Sequence, residues 1–169
     1  VPKKNAVGFG IATASTLLMV SLYLSYPQYN KKVYFPGYNV TEADFSAVEW
    51  IHSQQEGYNY IVLSNPITAI AALTKYSFAK SFETTDGEIF YYSIPSGGQL
   101  FSIYQKMLYQ GQKREFMEDA MRRAEVNTAY FVVSDFWSNF DKIVAGAKET
   151  ANTWKEIDHG RLVVFTYVL

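Results

Sequence analysis

Residues 58–73 read YNYIVLSNPITAIAAL, and the fold class turns on how that stretch divides. Tyr58 to Ser64 is short and almost wholly apolar, the pattern of a strand covered on both faces. Asn65-Pro66 then has the form of a helix start, with Asn as the N-cap and Pro at the first helical position, where its missing N–H costs nothing. Ile70 and Leu73 continue an apolar stripe at helical spacing. A buried strand passing through a short junction into a helix is the grammar of an α/β protein.

The flanking segments extend the same pattern. On the N-terminal side, Thr41 opens a helix, and Asp44 three positions on resembles a capping box with Asp in place of Glu. Phe45, Val48 and Ile51 form its apolar face, with Ala47 and Trp50 beside it, and Gly57 follows its end. On the C-terminal side, Lys75 to Phe82 (KYSFAKSF) is divided between the tail of the preceding helix and a strand. The alternation of Tyr76, Phe78 and Phe82 points to the strand. Asp86-Gly87 is a turn, Ile89 to Ile94 an apolar and aromatic strand, and Pro95-Ser96-Gly97-Gly98 its end.

A helix over Gln99–Tyr109 places Leu100, Ile103, Tyr104, Met107 and Leu108 on one face, and Gly111 stops it. Lys113 to Glu125 is the clearest amphipathic helix, with Phe116, Met117, Ala120, Met121 and Ala124 inward. Ala129 to Val133 (AYFVV) is a continuous apolar strand. Ser134 and Asp135 are read as the cap of a helix carrying Phe136, Phe140, Ile143 and Ala147. The chain closes on a hairpin, Trp154–Ile157 pairing with Arg161–Val168 across Asp158-His159-Gly160. The expected fold is α/β, a mixed sheet flanked by helices and preceded by one transmembrane helix.

That transmembrane helix is Ala6 to Tyr26 (AVGFGIATASTLLMVSLYLSY), 21 uncharged residues that as a helix would measure roughly 31 Å, enough to span a bilayer core. Lys3 and Lys4 precede it, Pro27 ends it, Tyr23, Tyr26 and Tyr29 cluster at the exit, and Lys31 and Lys32 follow. A soluble core helix of this length would carry a polar face; here the polar groups are Ser and Thr hydroxyls, which can bond back to helix carbonyls. A cleaved signal peptide would have a shorter apolar run, and the Ala12-x-Ala14 pattern lies inside the stretch. The chain therefore divides into a membrane segment with basic flanks (1–32), a linker with a Pro36-Gly37 turn (33–40) and a soluble domain (41–169). The sequence begins at Val1 rather than Met, so it is expected to continue upstream.

Two Lys on each side leave the positive-inside count tied. An extracytoplasmic location for the domain is favoured by Asn39-Val40-Thr41, which makes Asn39 a candidate N-glycosylation acceptor, and by the lack of cysteine. The expected location is the cell membrane.

Composition removes several classes of function. With 15 basic and 16 acidic residues there is no electrostatic footprint for a nucleic-acid binder. Zero cysteines exclude disulfide scaffolds, thiolate metal sites and cysteine nucleophiles together. The two histidines, His52 and His159, lie far apart with no carboxylate at ligand spacing, so no metal site and no cofactor are expected. Ser134, Asp135 and His159 make a triad on paper only, since no G-x-S-x-G elbow is present. Ser96-Gly97-Gly98 precedes a helix but belongs to no phosphate-loop motif. Because open α/β sheets bind ligands beyond the carboxyl ends of their strands, the candidate ligand-binding residues are Ser64, Asn65, Ser134 and Asp135. Aromatic residues make up 17% of the chain; the groups at Tyr58, Tyr60, Tyr91, Tyr92 and Phe136-Trp137 are readable as strand packing, sugar-stacking surfaces or a membrane-facing surface.

A membrane helix, the helix FSAVEWIHSQ, the strand and turn YIVLSNP, the helix ITAIAALTKYS, the segment AYFVVSD and a closing hairpin together resemble the C-terminal extracytoplasmic region of polytopic glycosyltransferases of the GT-C type. The resemblance runs from about Phe45 to the C-terminus and rests on element order and sequence texture. It implies a protein that uses polyprenyl-phosphate-linked sugars, with its essential acidic residues in an early loop upstream of this chain. No residue here matches them, and the WWDYG signature of oligosaccharyltransferase catalytic subunits is not present. The partners implied are the lipid bilayer through residues 6–26, upstream transmembrane helices, and a lipid-linked sugar or glycan. Two alternatives stay open: a single-pass anchored binding or interaction module, and a structural domain of a polytopic protein that is not a transferase.

Overall fold

The computed structural model describes residues 3–25, 39–77, 79–84, 87–93 and 98–169. The Pro36-Gly37 turn, the exit residues Tyr26, Pro27 and Tyr29, Lys31 and Lys32, Phe78, Asp86 and the Pro95-Ser96-Gly97 turn lie outside them.

Helix α1 (Lys3–Ser25) is 23 residues long. Its Gly8–Ser25 window is long and apolar enough to cross a membrane, and none of that window is buried against the rest of the chain. The hydroxyls of Thr13, Thr16 and Ser25 donate to the carbonyls of Phe9, Ala12 and Ser21 at 3.0, 2.9 and 2.6 Å. These polar groups are thus satisfied within the helix itself, as an apolar solvent requires.

The remaining elements follow the expected order: α2 (Glu42–Ser53), β1 (Ile61–Leu63), α3 (Pro66–Tyr76), β2 (Ser81–Thr84), β3 (Gly87–Phe90), α4 (Gln99–Tyr109), α5 (Arg114–Arg123), β4 (Thr128–Ser134), α6 (Phe140–Thr150), β5 (Thr153–Ile157) and β6 (Leu162–Val168). The main sheet is mixed, in the order β1-β4-β6-β5, with β1 parallel to β4 and the other pairs antiparallel. β2 and β3 form a separate antiparallel ribbon. Beyond β3 the chain runs beside the outer edge of β1: Val62 N–H donates to the Tyr91 carbonyl at 2.6 Å and Ser93 N–H to the Val62 carbonyl at 2.9 Å. That contact covers an edge that would otherwise offer open pairing groups.

The period-2 geometry of strands divides the core in two. Ile61, Leu63, Ala129, Phe131, Val133, Val163, Phe165 and Tyr167 face one side, under α4, α5 and α6. Tyr60, Val62, Tyr130, Val132, Leu162 and Val164 face the other, under α2 and α3. Both faces are dry, which explains why β1 and β4 read as unbroken apolar runs rather than alternating ones. β5 closes the opposite edge with its side chains mostly exposed, and the charged Lys155 and Glu156 there discourage further pairing.

Besides β3, which spans Gly87–Phe90 where a strand from Ile89 to Ile94 is expected, two boundaries differ from expectation. Lys75 and Tyr76 complete α3, and the next strand begins only at Ser81. The helix stops at Ser77, whose φ of 60° no helical residue adopts, and the Tyr76 ring packs on His52, with centroids 4.2 Å apart. The Tyr76 ring therefore serves docking onto α2 rather than a pleat, while Phe82 does lie in β2. The second difference concerns Ser134 and Asp135, which do not cap α6. A turn carries the chain from Asp135 to Asn139, Phe136 lies in it, and the helix starts at Phe140 with no side-chain cap bond.

Candidate functional site

β1 and β4 run parallel, so their carboxyl ends emerge side by side. A cleft of about 510 Å³ opens there, walled by the start of α2, the start of α3, the turn after β4 and the β5–β6 hairpin. Three of the four residues selected by the strand-end rule, Asn65, Ser134 and Asp135, line it.

Asn65 joins two elements. Its Oδ1 accepts from Thr68 N–H at 2.9 Å, capping α3 as its sequence position requires. Its Nδ2 donates to Ser134 Oγ at 3.1 Å, tying the end of β1 to the end of β4. Ser64 sits behind the cleft. Its backbone N–H donates to Ser93 Oγ at 3.0 Å, and that hydroxyl donates back to the Ser64 carbonyl at 2.7 Å. The Ser64 hydroxyl itself is fully buried and has no hydrogen-bond partner among the described residues.

The α2 wall is built around a buried carboxylate. Asp44 Oδ2 accepts from the Thr41 backbone N–H at 3.0 Å and from Thr41 Oγ1 at 2.7 Å, while Asp44 Oδ1 accepts from Thr68 Oγ1 at 2.8 Å. The capping box foreseen at Thr41 is therefore present, and it also pins α2 to α3. Burial of this carboxyl group is tolerated because three donors replace its water.

On the opposite wall Arg161 lies between two aspartates. Its Nε donates to Asp135 Oδ2 at 2.9 Å and its Nη1 to Asp158 Oδ2 at 3.4 Å. The backbone supports the arrangement, since Asp135 N–H donates to the Arg161 carbonyl at 2.8 Å. Asp158, His159 and Gly160 all take positive φ, which makes a tight four-residue hairpin turn and brings Asp158 back toward Arg161. Phe136 lies at the mouth, 46% exposed. Its ring meets Trp137 at 67°, and Trp137 is held in turn by Nε1–H donating to Tyr104 OH at 3.0 Å.

Asn39 also lines the cleft and is buried, so its amide offers little surface to a modifying enzyme in the folded chain. The paper triad is not assembled: Ser134 bonds to Asn65 and Asp135 to Arg161, and neither bonds to His159. No group of His, Asp and Glu that could hold a metal ion occurs among the described residues. His52 is part of an aromatic cluster, its ring between Tyr58 and Tyr76 and its Nδ1 3.4 Å from Tyr60 OH. Burial raises the phenol pKa values of Tyr60, Tyr91 and Tyr92, that of Tyr91 to about 12.

Arg161, Asp158, Asp44 and Phe136 are site residues that the strand-end rule does not find. Arg161 and Asp158 come from a hairpin remote in sequence from both strand ends, and only the register of β4 on β6, Ser134 opposite Leu162, brings them in. No family model, curated protein or solved structure matches this chain.

Proposed function

We propose that this chain is the membrane-anchored, extracytoplasmic C-terminal part of a multispanning glycosyltransferase that uses polyprenyl-phosphate-linked sugars, with the bond-making residues upstream. The observation that carries the anchoring is α1, whose apolar side chains, from Phe9 to Leu24, stay exposed and whose Thr13, Thr16 and Ser25 hydroxyls are paired internally. Such a helix is costly in water and fits a bilayer. The transferase part follows from the resemblance in element order and sequence texture.

A second reading, a single-pass anchored binding module, is favoured by one observation: the domain has a complete two-sided core and a formed cleft of its own. Sequencing the gene upstream of Val1 separates the two. Several further apolar spans of about 20 residues, with an acidic residue in the first outside loop, support the transferase; a start codon just before Val1 leaves the single-pass module. Topology has its own test, because the chain contains no cysteine. A single Glu149→Cys, on an exposed position of α6, should react with a membrane-impermeant maleimide in intact cells. Labelling only after lysis would place the domain inside and overturn the extracytoplasmic assignment.

A further inference from the structure

The cleft at the carboxyl ends of β1 and β4 has a chemical character that narrows what it can hold. Among the described residues that line it, Glu42, Asp44, Asp135 and Asp158 are acidic and Arg161 is basic, an excess of acidic over basic side chains. Two helix N-termini open onto it, which in other settings attract anions. Here both are occupied by their own side chains: Thr41 and Asp44 close α2, and Asn65 closes α3. A phosphate or carboxylate would meet fixed negative charge and few unclaimed amides.

The same walls suit a polyhydroxylated neutral ring. Arg161 donates to Oδ2 of Asp135 and to Oδ2 of Asp158, and among the described residues neither Asp Oδ1 accepts a hydrogen bond, so each carboxylate keeps an acceptor facing the cleft. Both side chains are about two-fifths exposed, 40% for Asp135 and 42% for Asp158. Carboxylates flanking a guanidinium alternate acceptor and donor in one fixed array, as adjacent ring hydroxyls do. Phe136 supplies the apolar part. One ring contact, with Trp137, covers at most one of its faces, the side chain is largely exposed, and the negative π-face attracts the electropositive C–H bonds of a sugar. The volume, about 510 Å³, lies in the ordinary range for small-molecule sites.

We infer that this cleft is a carbohydrate-binding site that takes a neutral pyranose, with Phe136 as the stacking surface and Asp135, Asp158 and Arg161 as the hydroxyl partners. The inference deepens the transferase reading by naming which part of a lipid-linked sugar or glycan this domain would hold: the ring, not the phosphate. Its test depends on the cleft alone, so a single-pass anchor that bound sugar would refute the transferase reading and leave this one standing.

The chain has only fourteen peptide steps between Ser25 and Asn39, so a cleft residue lies within about 50 Å of the end of α1. That reach is compatible with a sugar presented close to a membrane surface.

The experiment is saturation-transfer difference NMR on the full chain in nanodiscs free of glycosidic detergent. The probes are methyl α-mannopyranoside, methyl β-glucopyranoside and N-acetylglucosamine at about 50 mM, enough to populate a millimolar site. Transfer to the ring protons of at least one sugar is expected, falling several-fold in Phe136→Ala and in Asp135→Asn while far-UV circular dichroism stays unchanged. Both positions are exposed, so neither substitution removes core packing. Absence of transfer from all three sugars overturns the proposal, as does transfer that survives both substitutions. Loss of the signal on adding inorganic phosphate also overturns it, because the cleft would then be an anion site. Displacement of the bound glycoside by a polyprenyl-phosphate sugar in the same nanodisc supports a lipid-borne ring; displacement only by a soluble oligosaccharide supports a free glycan.

Discussion

Asn65 Nδ2 and Ser134 Oγ lie 3.1 Å apart across 69 positions of sequence, and this bond locks the carboxyl ends of the two parallel strands together at the floor of the cleft. The same Asn65 side chain caps α3 through Oδ1. Asn65→Ala therefore removes two interactions and Ser134→Ala one. The expected losses are about 2 kcal/mol for the first and about 1 kcal/mol for the second. In a double-mutant cycle read by urea denaturation, a coupling of about 0.5–1.5 kcal/mol is expected. Strict additivity would show that the bond contributes nothing.

Thr68 donates to a carboxylate that is 5% exposed. Thr68→Val keeps the shape and deletes the donor, leaving Asp44 Oδ1 buried without that partner. A loss of about 1–3 kcal/mol is expected, with a fall in Tm of several degrees. Thr68→Ser, which keeps the hydroxyl, should lose less. Equal losses in the two variants would mean that the methyl group, not the bond to Asp44, accounts for the effect.

The tyrosine cluster sets a limit at alkaline pH. Tyr91 is raised from 10.0 to about 12, first by burial and then by neighbouring phenols, and burial also raises Tyr60 and Tyr92 well above the usual phenol value. A folded-state pKa above the unfolded one means that the native state holds its proton longer. The contribution is present in full below the unfolded value and is lost as pH rises toward the folded one. Stability should therefore fall from about pH 10 upward, steepening toward pH 12, in denaturant titrations followed by circular dichroism. A midpoint that stays flat over pH 9–12 would contradict burial of these hydroxyls.

Leu17 lies near the middle of the apolar window of α1 and is 66% exposed. Leu17→Arg would place a charge at the bilayer centre, at a cost of about 2.5–3.5 kcal/mol on the insertion scale. Less of the variant than of the parent chain should stay in the membrane pellet after carbonate extraction, with the fold of residues 41–169 intact by limited proteolysis. Equal retention would indicate that α1 does not hold the chain in a bilayer.

Much of this architecture was legible beforehand because its signals are local. Asn65-Pro66 determined the start of α3, Thr41 with Asp44 that of α2, and Gly111 the break between α4 and α5. Each depends on backbone groups within a few residues of one another. The apolar runs of β1 and β4 likewise announced strands buried on both faces. Where local signals competed with packing, packing won. Tyr76 looked like part of a strand but belongs to a helix docked on His52, and Ser134 looked like a cap but is held by Asn65.

The sequence by itself determined the order of elements, the long apolar helix, and the strand ends at which a ligand would be received. Only the tertiary structure decided what those ends look like. Strand pairing is a choice among distant partners, and no local pattern sets β4 between β1 and β6. That choice carries Asp158 and Arg161 from the final hairpin to face Asn65 and Asp135. The chemistry of the cleft therefore arises from side chains with ordinary local surroundings, made into a site by long-range register.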